Sequence, residues 1–219
     1  MKGNTQLTKL VLTGGIIAGP IYIIVGLAQI LTREGFDMTR HPLSLMSLGD
    51  LGWIQITNFI VTGFLVLLAA IALRRLAQAD QRLRRGAFLI GLYAVCVIGG
   101  GIFVTDSALG FPPGTPDVYP ETFSWHGLLH FIAGQIAFLS LIAASFVYGK
   151  YFAVNQMRKW ATFSRLTGGT FLAAIIALIA TAGMESTAGI AWASIFLYVA
   201  VALGWIWLSA LTIRMRARV

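Results

Sequence analysis

The sequence predicts an all-α fold: a polytopic membrane protein built as one six-transmembrane-helix bundle, with both termini in the cytoplasm. Three observations carry that expectation. The 219 residues are 58% apolar and only 11% charged, with a mean hydropathy of +0.81, so a water-soluble globule would lack the polar surface to cover itself. Six stretches are long and apolar enough to cross a hydrocarbon core of about 30 Å, and the segments joining them are too short for a separate soluble domain. The cations sort to one side of those stretches. No run of alternating strands of about ten residues competes with this reading.

Taken in order, the spans fall at about 10–32, 52–73, 87–105, 125–148, 166–184 and 190–212. The first follows Lys2 and Lys9, as a secretory leader would, but it runs past a leader's apolar length without a small-residue cleavage site and so reads as a retained span. The second opens at Gly52-Trp53 and meets Arg74-Arg75, and the third runs from beyond Arg84-Arg85 to Asp106. Ser124-Trp125-His126 opens the fourth, which closes before Lys150, while the fifth follows Arg165 and ends near Glu185. The sixth opens near Trp192 and stops before Arg214. Trp53, Trp125 and Trp192 mark one boundary and Trp160 and Trp207 lie toward the other, as an interfacial aromatic belt requires.

Fourteen of the sixteen cations lie beside the starts or ends of spans on one side, in the groups Lys2 and Lys9, Arg74 to Arg85, Lys150 to Arg165, and Arg214 to Arg218. Basic loops are retained in the cytoplasm, so this side is expected to be inside and the protein to be a multi-pass protein of the plasma membrane. Only Arg33 and Arg40 fall outside. The net charge of +8 is therefore a topology signal, and nucleic acid is not an expected partner. Seven of the eight acids and all three histidines lie on the outer side, with Asp80 alone among the arginines. Acidic residues contribute little to topology, so this clustering points to an outer polar site. The single cysteine, Cys96, sits mid-span and excludes an intramolecular disulfide.

The outer connections are unequal, about eighteen, twenty and five residues, and no internal repeat advertises an inverted-repeat transporter. Residues Thr32 to Leu51 mix charges with Leu43, Leu45, Met46 and Leu48, a pattern suited to a short helix lying in the interface. Pro112, Pro113, Pro116 and Pro120 make Asp106 to Ser124 a stiff, non-helical cap. Gly99, Gly100 and Gly101 read as a close-packing surface, with unwound backbone beside a ligand as the functional alternative. Gln55, Asn58, Gln135 and Thr181 read as hydrogen-bonding glue between helices.

His126 and His130 open the fourth span, and their four-residue separation puts both imidazoles on one helical face about 6 Å apart along the axis. Such a pair can grip one metal ion. Zinc in a catalytic site usually takes three protein ligands and a water, so a third donor is needed, and Asp106 and His41 lie at the same boundary. The expected metal set is therefore His126, His130, Asp106 and His41, holding Zn2+. Ser44, three residues beyond His41, and Glu185, at the end of the fifth span, are the candidate catalytic groups, steering protons around a metal-bound water. Ionisable groups at membrane depth are usually functional.

The series His41-Pro42-Leu43-Ser44, then Gly52-Trp53-Ile54-Gln55 with Asn58, then Thr105-Asp106, then Ser124-Trp125-His126 with His130 resembles the six-span family known as domain of unknown function 998. The resemblance covers nearly the whole chain and implies a fold but no reaction. A looser similarity of residue types is to membrane hydrolases of the alkaline ceramidase and adiponectin-receptor type, which combine a serine, an aspartate and a spaced histidine pair around zinc. In this chain those types fall at Ser44, Asp106, His126 and His130, although those enzymes have seven spans and carry the histidine pair on the last.

Two functions follow as expectations. One is a metal-dependent hydrolase acting on a lipid-like substrate at the outer leaflet, the metal polarising the scissile bond and generating hydroxide. The alternative is a non-enzymatic lipid-binding, transport or accessory protein using the same pocket. Both make membrane lipids the partner. Haem is disfavoured because two histidines on one helical face cannot take opposite sides of one macrocycle. No span carries the charged stripe of an ion channel.

Overall fold

A computed structural model of the chain describes residues 2–77, 80–181 and 187–219. It contains α1 (Lys2–Thr32), a single 3-10 helix η1 (Leu43–Ser47), α2 (Gly52–Leu76), α3 (Gln81–Ile102), α4 (Trp125–Val154), α5 (Arg158–Thr181) and α6 (Thr187–Arg216). All six α-helices are long and apolar enough to cross a membrane. The only extended pairing among the described residues is an isolated bridge between Ala108 and Phe111.

The inside and outside of this bundle are chemically inverted relative to a soluble protein. Phe64, Phe88, Ile179 and Trp192 face outward, whereas Gln29, Gln55, Asn58 and Thr62 are buried. Hydrocarbon as solvent explains both halves of the pattern, since it welcomes apolar surface and forces polar groups to find partners inside. No Asp, Glu, Lys or Arg is buried among the described residues.

Each helix packs chiefly against its neighbours in sequence, and α6 closes the ring against α1. Glycines set the close approaches. A Cβ on Gly63 of α2 would press on Ile98 and on the Ala94 carbonyl of α3, and one on Gly19 would meet Trp205 and Ser209 of α6. Tyr22 of α1 stacks on Trp205 with ring centroids 4.4 Å apart, and Tyr93 of α3 meets the same indole edge-on at 5.7 Å.

The two ends of the bundle differ. At the basic end, Arg74 and Arg75 lie in the last turn of α2 and Arg214 and Arg216 in the last turn of α6, where cations favour the exposed carbonyls. Asp80, isolated in the sequence reading, is the N-cap of α3 and accepts from the N–H groups of Arg82 and Leu83. Arg216 donates from Nε to the Lys9 carbonyl at 3.2 Å, so both termini reach this end. At the other, capped end lie η1 and the α3–α4 connection.

Several boundaries move from their sequence expectations. The α4–α5 connection shrinks to residues 155–157, because Lys150, Arg158, Lys159 and Arg165 sit within the helices and not in a loop. Long cationic side chains extend toward water from a helix end, so hydropathy alone truncates such helices. Helix α3 stops at Ile102 instead of 105, with Phe103 in extended backbone (φ −95°, ψ 98°). The run Gly99 to Gly101 stays helical, and a Cβ on Gly101 would meet Ile60 and the Ile56 carbonyl of α2, which is the packing role.

Candidate functional site

The capped end is built from two interlocked connections. The first forms a short helix as expected, η1, which packs against α2 with Leu45, Met46 and Ser47 buried. Leu45 packs with Ala108 and Phe111 of the second connection in a small apolar core of its own, which ties the two connections together by apolar burial. Arg33 pins η1 by donating from Nη1 to the Met46 carbonyl (3.0 Å) and from Nη2 to that of Leu48 (2.6 Å), with its guanidinium 5.3 Å from the Phe111 ring centre. Arg40 pairs with Asp117 across the two connections. The prolines keep the second connection non-helical, as expected.

His41 is the bolt of this cap. Its Nδ1 accepts from the Asp37 N–H at 2.9 Å, its Nε2–H donates to the Leu109 carbonyl at 2.9 Å, and its own carbonyl accepts from the Tyr198 hydroxyl of α6 at 2.7 Å. Both ring nitrogens are thus spent on backbone, which leaves no lone pair for a metal. Nearby, Asp37 also accepts from the hydroxyl and N–H of Thr39, and these two bonds hold its carboxyl below the usual range.

Asp106, His126 and His130 do meet, at the junction of α3 and α4. Ser124 is the N-cap of α4: its Oγ accepts from the Gly127 N–H at 3.0 Å and donates to Asp106 Oδ1 at 2.5 Å, while its N–H donates to Asp106 Oδ2 at 2.9 Å. A Cβ on Gly127 would collide with this carboxylate, so the glycine makes the junction possible. His126 Nδ1–H donates to the Val104 carbonyl at 2.7 Å, and His130 Nδ1–H to those of Phe103 (2.7 Å) and Gly100 (3.1 Å). The carbonyls at the end of α3 have no partner within their own helix, and the two imidazoles supply one. Carbonyls only accept, so each ring carries its proton on Nδ1 and presents a bare lone pair at Nε2.

That orientation is also how metal-binding imidazoles are held, which makes the zinc expectation testable on the donors. Asp106 has both oxygens engaged by Ser124 and His41 has both nitrogens engaged elsewhere. Among the described residues no group of three or more His, Cys, Asp or Glu side chains is placed to hold a metal ion. The described donors therefore do not assemble the three protein ligands of a catalytic zinc. Ser44 lies half-buried in η1, its carbonyl accepting from Ser47 Oγ at 2.7 Å. Glu185 lies outside the described residues.

Beside η1 is a cluster the histidine motif does not announce. Leu43 of η1 lies against Gly26 of α1, one turn inward of Gln29, and Ser47 abuts Gly52 of α2, one turn outward of Gln55, so η1 sits alongside the Gln29–Gln55 pair. Gln29 Nε2 donates to Gln55 Oε1 at 2.8 Å, and Asn58 Nδ2 donates to the same oxygen at 3.3 Å and to the Tyr22 carbonyl at 3.4 Å. Gln55 and Asn58 thus do glue α1 to α2. Yet Gln29 Oε1, Gln55 Nε2 and Asn58 Oδ1 are buried without a hydrogen-bond partner. Each such atom costs about 1–3 kcal/mol. A row of rings links this triad to the junction: His130 meets Phe59 edge-on at 6.4 Å, and Phe59 lies 6.1 Å from Tyr22.

Sequence reasoning missed Gln29, Tyr22, Ser124 and Tyr198. Gln29 was findable as a carboxamide one turn inside its span, at the depth of Gln55 in the next. Gln135, grouped with the helix glue, is instead exposed on the lipid-facing side of α4, and Thr181 bonds only to carbonyls of its own helix.

Compared with known families, residues 16–214 match the model of a family described as protein of unknown function, DUF998. The chain belongs to that family. Nothing among curated proteins or solved structures matches it. The family carries no assigned reaction, so function in this DUF998 protein has to be argued from the capped end.

Proposed function

We propose that this integral membrane protein is a non-enzymatic lipid-binding, transport or accessory protein of the cell membrane. Its capped end faces the exterior, and its lipid-like ligand is held by the polar interior beneath that cap. The orientation rests on the fourteen cations at the other end. The binding reading rests on one observation: three carboxamides are buried together, and each keeps an unpaired polar atom. Helix glue accounts for the bonds that are made, not for the atoms left over.

The metal-dependent hydrolase reading is weaker on these grounds. It needs a third donor beside His126 and His130, and among the described residues no group of three or more His, Cys, Asp or Glu side chains is placed to hold an ion. In the reading preferred here the two histidines hold the α3 terminus and offer Nε2 lone pairs as acceptors.

Lipid mass spectrometry and metal analysis on one purified sample test the proposal. Native lipid is expected to copurify at near-equal molar amount, to be depleted in Asn58→Leu, and to be unaccompanied by stoichiometric zinc. Zinc at one per chain that disappears in His126→Ala/His130→Ala, with no retained lipid, overturns it.

A further inference from the structure

Resting on the reading above, we infer that the carboxamide triad Gln29, Gln55 and Asn58 selects an uncharged lipid headgroup with a free hydroxyl, and discriminates against phospholipids. The unpaired atoms define the chemistry. Gln55 Nε2 is a donor; Gln29 Oε1 and Asn58 Oδ1 are acceptors. A hydroxyl accepts from Gln55 Nε2 and donates its one proton to Gln29 Oε1 or Asn58 Oδ1, satisfying two of the three atoms. A phosphate, which at neutral pH chiefly accepts, would face two carbonyl-type oxygens with like partial charge.

Charge decides more strongly than counting. The three side chains are 3%, 0% and 3% exposed, and no Asp, Glu, Lys or Arg is buried among the described residues. Burying an ion without a counter-ion at such depth is costly enough that a group neutralises or stays out. Arg33, the charged side chain pinning η1, has its terminal nitrogens on the carbonyls of Met46 in η1 and of Leu48 just after it. A neutral hydroxyl incurs only the cost of losing water, which the triad's own free atoms offset. Phe59 and Trp205 flank Tyr22, whose hydroxyl lies toward the Gln55 side chain.

The test uses the full chain in phosphatidylcholine nanodiscs with a trace of tail-photoactivatable diacylglycerol or, in parallel, of photoactivatable phosphatidic acid with the same tails. Diacylglycerol is expected to crosslink to α1 and α2 near the triad. Unlabelled diacylglycerol should displace it, and unlabelled phosphatidic acid should need at least about tenfold more, the value of roughly 1.4 kcal/mol. Gln55→Leu, checked for monodispersity and helical content, should cut labelling by about tenfold. The competition experiment uses wild-type protein alone and decides the matter even if the variant does not fold. Equal or better capture of phosphatidic acid at the same positions overturns this inference and leaves the lipid-binding reading standing. Absence of interior labelling by either lipid, with a water completing the triad, overturns both.

Discussion

The α3–α4 junction and the α1–α2 triad lie at the same end of one bundle and use polar residues in opposite ways. At the junction, Asp106, Ser124, His126 and His130 close the end of one helix and the start of the next with bonds of 2.5–3.1 Å. In the triad, Gln29 and Asn58 both donate to one acceptor, Gln55 Oε1, Asn58 also reaches the Tyr22 carbonyl, and three atoms stay unpaired. On the reading proposed above, the louder motif holds two helix ends together and the quieter one takes the ligand; a fully satisfied polar network specifies geometry.

The contrast predicts that damage to the junction lowers stability with little effect on ligand, and that damage to the triad does the reverse. The largest effect is expected for Asp106→Ala, which strands both the hydroxyl and the N–H of Ser124: a destabilisation of about 2 kcal/mol or more, read as a lowered thermal midpoint in detergent. Retained lipid per folded molecule should stay near wild type, and parallel loss of lipid would erase the distinction. Next, Gln29→Leu/Gln55→Leu should leave the midpoint nearly unchanged, because donor and acceptor are removed together, while lipid retention falls about tenfold. A collapse in stability there would make the triad a structural element like the junction.

Ser124→Ala removes an N-cap and should cost about 1 kcal/mol in the same melting assay, with Ser124→Asn close to wild type. The smallest effect concerns pH. The Asp37 carboxyl titrates below its ordinary 3.8 because Thr39 bonds favour the charged form. Its contribution to the cap is therefore fully present above the unfolded value and is lost as pH falls through the folded one. Acidification below the ordinary carboxylate range should loosen the cap in wild type, seen as faster proteolysis of the connection holding η1, and Thr39→Val should move the onset to higher pH.

Hydropathy made the six helices legible, and the side preference of the cations made the two ends legible. Helix lengths were not, because Arg158, Lys159 and Arg165 belong to a helix whose solvent changes from hydrocarbon to water partway along. The junction was half legible: spacing put His126 and His130 on one face and Asp106 at the same boundary, but it did not show the carbonyls that the two Nδ1–H groups meet. Spacing cannot tell an imidazole facing an ion from one facing the carbonyls of Gly100, Phe103 and Val104. His41 shows the same limit, since its partners at Asp37, Leu109 and Tyr198 come from three separate stretches of chain. Gln29 shares its depth with Gln55 in the sequence, but that α1 faces α2 there is information periodicity does not carry.

The ring order of the helices has a consequence for biogenesis. Since α1 depends on α6 for one of its two walls, its Gly19 face stays uncovered during synthesis until α6 has been made. The α1–α2 hairpin can pair during synthesis, but Tyr22 acquires its indole neighbour only once translation has reached Trp205. Truncation ahead of Trp205 should therefore leave the Gly19 face of α1 and the ring of Tyr22 without their α6 partner.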